Sequence, residues 1–317
     1  MKKYGFISII VLLLLMCCSK QSEEPLKLTV FVNPFIGTDG PGNTYPGVTV
    51  PFGMVQLSPD IGIPGWDRIA GYYYKDSIIS GFSHTHLTGT GAGDLCDILV
   101  MPTNSRFNSR IKANNFKPFS KFSHDKEAAS PGYYTVDLLD FGIKAELTAT
   151  SRTGIHKYTF PQDSLSQIHI DLGYALNWDS PTDTYINVVN NTTIQGYRKS
   201  TGWAKDQRIY FEIQVSKPFK SHQLYNNDSL VESSTKGKNT KIILNYQTSE
   251  NEEIILKTGL STANIEGASK SLVIEALDFD FVKYRRKSDS IWERELEKIE
   301  IETDDTNKKR IFYTMLY

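Results

Sequence analysis

The sequence predicts a large antiparallel β-sandwich followed by linker helices. Three observations carry that prediction. Apolar, aromatic and β-branched residues gather into short runs that recur about every ten residues, with Gly, Asn, Asp and Pro turns between them. Neither a strand–helix–strand alternation nor a fixed-period repeat interrupts the series. From Ile265 onward the spacing turns helical and charges of both signs interleave. The chain therefore divides into a targeting segment and tether over 1–25, a sandwich over 26–264, and helices over 265–317.

The totals exclude some classes of function. The chain has 317 residues, 39% hydrophobic and 22% charged, with a formal net charge of -1. That balance gives no electrostatic footprint for nucleic acid or for a charged membrane surface. Aromatics reach 12%, including 17 Tyr and 16 Phe. This composition suits β-sheet, and it equally suits a sugar-binding surface. Of the three cysteines, Cys17 and Cys18 stand at the N-terminus and Cys96 is alone in the body, so no disulfide framework is available there. Cys96 reads as a half-buried small apolar residue, with no base beside it to make a nucleophile.

Lys2 and Lys3 followed by the apolar run 5–16 read as an export signal, too short to span a bilayer comfortably. The run ends at LLMCCSK and a polar tether, SKQSEEP, follows. This is similar to a bacterial lipoprotein signal, with Cys18 as the lipidated residue and Cys17 as the alternative. An ordinary secretory signal cleaved nearby is the other reading. Under the first, the body is exported and held at the outer membrane by a lipid anchor, facing periplasm or cell surface.

Within the body KLTVFVNPF opens the β series with an apolar run. SGFSHTHL and DILVMP read as strands around a glycine-rich loop. GYYTVDLL, GIKAELTATSRTGIHKYTF, a run over 167–172, INVVNNTTIQGYRKS, QRIYFEIQVSKPF, TKIILNYQ and EIILKTGLS continue it. In the helical part Leu272, Ala276, Phe279, Ile291, Leu296 and Ile299 are the candidate buried positions. The charges over 283–297 mark a solvated face. Asp304, Asp305 and Thr306 start a last helix. That helix has no stop signal and carries its apolar face to Tyr317 with nothing to pack against, the expectation for a chain cut short of a further helical domain.

Residues 32–102 organise the rest. Gly and Pro are densest there, and they shape loops rather than long elements. Asp39, Trp66, Asp67, His84, His86 and Asp94 stand among them, and loops holding convergent polar groups and a Trp are where ligands bind. Trp66 beside Asp67 is the foremost ligand contact: an indole stacks on the apolar face of a pyranose and a carboxylate accepts its hydroxyls. The alternative is a Trp anchoring its loop in the core. His84 and His86, two apart, share a face if the segment is a strand. That spacing suits metal, but no third ligand is evident, and hydrogen bonding that fixes the loop is the competing role. Asp60, Asp67, Asp94 and Asp97 are carboxylates by type, with turn capping as the plainer role. GTGAG over 89–93 is no phosphate cradle, because no helical pattern follows it.

VNPFIGT, YPGVTVPFGMVQLSPD, GWD, GYYY, GFSHTHLTGTG and DILVMP occur in this order. Together with SIWERELEKIEIE and IFYTMLY they resemble glycoside hydrolase family 92. The resemblance implies calcium-dependent exo-acting α-mannosidases that invert the anomeric centre, with an N-terminal β-sandwich, a helical linker and a C-terminal (α/α)6 barrel. Inversion needs two carboxyl groups about 6.5–9.5 Å apart. The resemblance implies that both, and the calcium ligands, lie on the barrel, so no catalytic or metal role passes to a residue here and no calcium is expected on this part alone. TGAGDLCD departs from the family, which more often has Cys directly after the TG pair, so Cys96 receives no role. The expected contribution is substrate binding through Trp66, Asp67, Asp39, His84 and His86, to a mannose-containing glycan. The alternative function is a non-catalytic glycan-binding surface lipoprotein.

Overall fold

The computed structural model describes residues 26–108 and 117–317. The targeting segment, with Cys17 and Cys18, lies outside the described residues. Strands follow one another in the order β1 (Ser58–Asp60), β2 (Ile78–Ile79), β3 (Gly81–Ser83), β4 (Leu99–Thr103), β5 (Ser120–Lys121), β6 (Glu127–Ser130), β7 (Tyr133–Leu138), β8 (Ile143–Ala149) and β9 (Thr153–Phe160). The second half adds β10 (Asp163–Asp171), β11 (Ser180–Asn190), β12 (Thr193–Thr201), β13 (Gln207–Val215), β14 (Ser221–Asn226), β15 (Ser229–Val231), β16 (Thr235–Gly237), β17 (Thr240–Thr248) and β18 (Glu252–Ser261). A 9-stranded sheet runs β16-β11-β12-β13-β18-β9-β8-β7-β6, and a 7-stranded sheet runs β1-β3-β4-β10-β17-β14-β15. All neighbours are antiparallel, both in hairpins such as β12–β13 and between strands distant in the chain such as β10 and β17.

The two inner faces make the core. On β12 alternate residues are buried, with Ile194 and Gly196 inward and Thr193 and Gln195 half-buried. Phe82, Tyr134, Ile168, Ile170, Phe211, Leu244, Ile254 and Leu256 meet in one cluster. Each such side chain contributes roughly 1.5–3 kcal/mol by leaving water. Gly196 lets Phe211 and the Tyr185 carbonyl close over β12; a Cβ there would meet that oxygen at 2.0 Å. Pro181 is tolerated in β11 because the register with β12 slips between Pro181 and Asp183.

Three helices follow, α1 (Ile265–Glu275), α2 (Phe281–Leu296) and α3 (Thr306–Leu316). Asn264, Asp280 and Asp305 cap them by accepting from Gly267 N, Lys283 N and Asn307 N. Leu272, Ala276 and Leu296 are buried as expected, and Phe279 and Ile291 are half-buried. Ile299 is instead 50% exposed, because α2 ends at Leu296 and the residues beyond it leave the packed face. Trp292 takes the buried place and donates from Nε1 to Thr49 O at 2.8 Å.

Two further expectations are corrected. The run at 27–35 opens with a 3-10 helix, Leu28–Phe31, rather than a strand. The Glu293 carboxylate accepts from Leu28 N at 2.6 Å and Thr29 N at 2.9 Å, satisfying the N–H groups that a helical turn leaves open. The face of α3 is not bare: Tyr313 is buried against Val32 and Leu296, and Tyr317 lies 4.4 Å from Trp292. Ile311 and Met315 on the same helix stay exposed.

Candidate functional site

The site is built where the Gly/Pro-rich segment crosses one end of the sandwich. Strand β3 stops at Ser83, and 84–86 leaves the ladder to grip 95–98. His84 N donates to Asp97 O at 2.9 Å and Cys96 N to Thr85 O at 2.8 Å. Thr85 Oγ1 donates to Asp97 Oδ2 at 2.7 Å and accepts from Asp97 N at 2.9 Å. Leu95, Cys96 and Ile98 are all held in the left-handed region, at φ 75°, 61° and 58°. Such a conformation costs an L-residue roughly 1–2 kcal/mol, and a β-branched Ile is a rare occupant. The grip from 84–86 over-determines this strained turn, which is how backbone strain persists in a fold.

His84 and His86 are both buried, and their rings serve different partners. Ile98 O can only accept, so His84 carries its proton on Nδ1, 2.8 Å away. His84 Nε2 then accepts from His156 Nε2 at 3.0 Å, and His156 Nδ1 accepts from the Tyr158 hydroxyl at 2.8 Å. Every polar atom of this relay is satisfied with both rings neutral. Burial lowers His84 to about 4 and His156 well below its ordinary value, in agreement with the bonding. His86 instead reaches Gln56 O at 2.7 Å, and Asp60 Oδ1 and Ser83 Oγ at 3.1 Å. Of the two roles weighed for these histidines, the geometry supplies the bracing of the loop. Neither ring reaches the surface.

Three of the four candidate carboxylates are likewise spent on protein partners. Asp60 accepts from Ser83 N at 2.9 Å. Asp94 accepts from Trp203 N and Ala204 N at 3.0 Å and from Gln207 Nε2 at 3.1 Å. Asp97 accepts from Arg198 Nη1 at 2.5 Å. Arg198 sits at an inward position of β12, fully buried, and also donates to Asp179, Leu172 O and Tyr174 O. Burial pushes the Asp179 carboxyl up, and the Arg198 charge opposes that rise. Burial also pushes the Cys96 thiol well up, so it is a fully buried, inert thiol rather than a half-buried one.

Asp67 and Trp66 differ from the rest. Trp66 is 61% exposed, so it does not anchor a core, and Asp67 beside it is exposed. Both lie on a 3-10 turn, Trp66–Arg68, that packs against the turn Gly40–Gly42. Asp39 caps the latter by accepting from Gly40 N at 2.7 Å, and Lys75 at 3.2 Å holds its carboxyl below the usual range. The structure thus joins Asp39, Trp66 and Asp67 through two packed turns, while the two histidines are buried. It also adds residues that sequence reasoning missed. Trp178 and Trp203 stand beside Trp66, at centroid distances of 6.2 Å for each successive pair. The signal was present: Asn-Trp-Asp at 177–179 and Gly-Trp-Ala at 202–204 put a Trp among turn residues, as Gly-Trp-Asp does at 65–67.

Residues 31–261 match the model of the glycosyl hydrolase family 92 N-terminal domain. The chain belongs to glycosyl hydrolase family 92. Residues 267–317 match the catalytic domain of family 92. A solved family GH92 α-mannosidase from Bacteroides thetaiotaomicron is 35% identical with a TM-score of 0.85, over 93% of this chain and 41% of that one. The same enzyme has been solved with mannoimidazole. A family GH92 inverting mannosidase from the same organism is 27% identical with a TM-score of 0.81, over 93% of this chain and 40% of that one. An uncharacterized secreted glycosidase of Arthroderma benhamiae is 24% identical over 323 residues, 90% of this chain and 40% of that protein. The family 92 chain described here thus spans about two fifths of the length of these relatives.

The calcium that the family resemblance implies does not suit the cluster of His, Cys and Asp found among the described residues. The one mixed cluster there, Asp60, His86 and Cys96, brings its ligand atoms within 4.8 Å of one another. It offers nitrogen and sulfur, whereas Ca²⁺ takes 6–8 oxygens. Its one carboxylate is already bonded to Ser83 N and His86.

Proposed function

We propose that this chain is the N-terminal, substrate-binding part of an inverting exo-α-mannosidase acting on mannose-containing glycans. The observation that carries the reading is the exposed Trp66–Asp67 pair on its braced turn, in a chain 35% identical to a family GH92 α-mannosidase solved with mannoimidazole. Trp66 supplies a stacking face for a mannose ring. Asp67 and Asp39 accept its hydroxyls. His84 and His86 act by holding the 84–98 loops in place. The family resemblance leaves the general acid, the general base and calcium to the part of the relatives' length beyond the two fifths matched here. The apolar run ending at Cys18 makes it an exported lipoprotein of the outer membrane, and a relative named as a secreted glycosidase supports export.

Calorimetric titration of the chain with mannose tests the contact. Binding that Trp66→Ala and Asp67→Asn each weaken about tenfold or more supports it. Equal affinity in wild type and both variants overturns it.

A further inference from the structure

Three of the four tryptophans are exposed, and all three belong to one surface. Trp66 is 61%, Trp178 44% and Trp203 72% exposed. They come from separate turns, yet each is tied to the same hexapeptide, 89–94. Gly91 lies under Trp66; a Cβ there would meet the indole at 3.1 Å. Gly93 O accepts from Trp178 N at 3.1 Å, and a Cβ at Gly93 would meet the Asn177 side chain at 2.6 Å. The Asp94 carboxylate accepts from Trp203 N, and Gly202 is bare because a Cβ would strike Asp94 Oδ1 at 2.2 Å. Asn177 Oδ1 in turn accepts from Gly65 N at 3.0 Å, joining the Trp178 turn to the Trp66 turn. Exposing three indoles costs hydrophobic free energy, and the contacts with 89–94 hold all three outward despite that cost.

We propose that Trp178 and Trp203 form additional sugar subsites continuing from Trp66, so that the surface recognises an extended α-linked mannose oligosaccharide rather than a single residue. The inference rests on the glycan-binding reading of Trp66 given above. Trp178 and Trp203 are nearly parallel, 21° apart, with centroids 6.2 Å apart. Two stacking contacts of about 4 Å each need more room than that, so no pyranose enters between them. The sugar chain lies across their outer faces. Asp67 is exposed beside Trp66 in the chain and provides an acceptor for hydroxyls at that end of the path.

Titration of the chain with mannose and with a linear α-linked mannotetraose tests this, in wild type and in Trp66→Ala, Trp178→Ala and Trp203→Ala. Mannotetraose binds roughly tenfold or more tighter than mannose in wild type. Trp178→Ala and Trp203→Ala each remove most of that advantage and leave mannose affinity within about twofold. Trp203→Phe restores part of it, which a purely structural role would not require. Urea midpoints of the variants verify that each remains folded. Mannose binding that depends on Trp66 without any oligosaccharide gain sinks the platform alone. An oligosaccharide gain that depends on Trp178 and Trp203, with mannose binding indifferent to Trp66, sinks the Trp66 reading alone. If neither sugar binds, both the Trp66 reading and the proposal fail.

Discussion

His156 Nε2 donates to His84 Nε2 across 3.0 Å in the closed interior of the sandwich, and neither ring has room for a second proton. This makes the fold sensitive to mild acid. His84 falls from an ordinary value of 6.5 to about 4 in the folded chain. Between those values the unfolded chain binds a proton that the folded chain refuses. Stability is therefore fully present above pH 6.5 and is lost as pH falls toward 4, by roughly 3 kcal/mol for this group. His169, lowered to about 3 by burial, adds to the loss in the same direction. Urea midpoints measured from pH 7 to pH 5 should decline steadily. A flat profile over that range contradicts the neutral relay.

Arg198 is the staple of the site, since one guanidinium serves Asp97, Asp179 and two carbonyls. Arg198→Met keeps the volume but leaves two buried carboxylates facing each other without a cation. The expected cost is about 3–5 kcal/mol in equilibrium unfolding. Asp97→Asn should cost less, because Arg198 keeps Asp179. Similar losses for the two variants would mean that the pair with Asp97 carries the whole effect and that Asp179 adds nothing.

Two glycines near the site separate steric demand from backbone demand. Gly89 has φ +61° with nothing within 4 Å of a Cβ, so Gly89→Ala should cost only about 1 kcal/mol of conformational strain. Gly202 has no unusual φ, but its Cβ would lie 2.2 Å from Asp94 Oδ1. Gly202→Ala must displace either Asp94 or the Trp203 turn, at about 1–3 kcal/mol. It should also shift tryptophan fluorescence, whereas Gly89→Ala should not. Identical spectra for both variants would argue against the Asp94 tether.

The strands were legible because period-two alternation survives along β12 and β17, where one face meets the core. Asp39, Trp66 and Asp67 were legible because their residue types stand out among glycines and prolines. Arg198 was not: at an inward position it reads as a break in alternation, and only the fold brings Asp97 and Asp179 to it from other loops. His156 hid in the same way, as a polar residue in an apolar strand whose partner lies 72 positions away. Trp178 and Trp203 had the turn context of Trp66, yet their grouping depends on contacts with the 89–94 loop that no local pattern encodes. The 3-10 turn at Leu28–Phe31 was misread because the Glu293 carboxylate that caps it is more than 260 residues distant.

Lys257 joins the sandwich to its helices. Its ammonium is buried and donates to Ala276 O at 2.7 Å and to Leu277 O and Asp278 O at 3.2 Å. These carbonyls follow the C-terminal end of α1, where a cation both satisfies unpaired acceptors and meets the negative end of the helix dipole. The same group lies 4.1 Å from the centre of the Phe279 ring. Lys257→Met preserves the aliphatic stem but removes the cation over Phe279 and strands those acceptors. The chain should lose about 1.5–3 kcal/mol. Amide exchange should quicken first between Ala276 and Asp280, where α1 hands over to α2, before the sandwich strands are affected. Uniform exchange throughout the chain would show instead that Lys257 supports the whole fold rather than this joint.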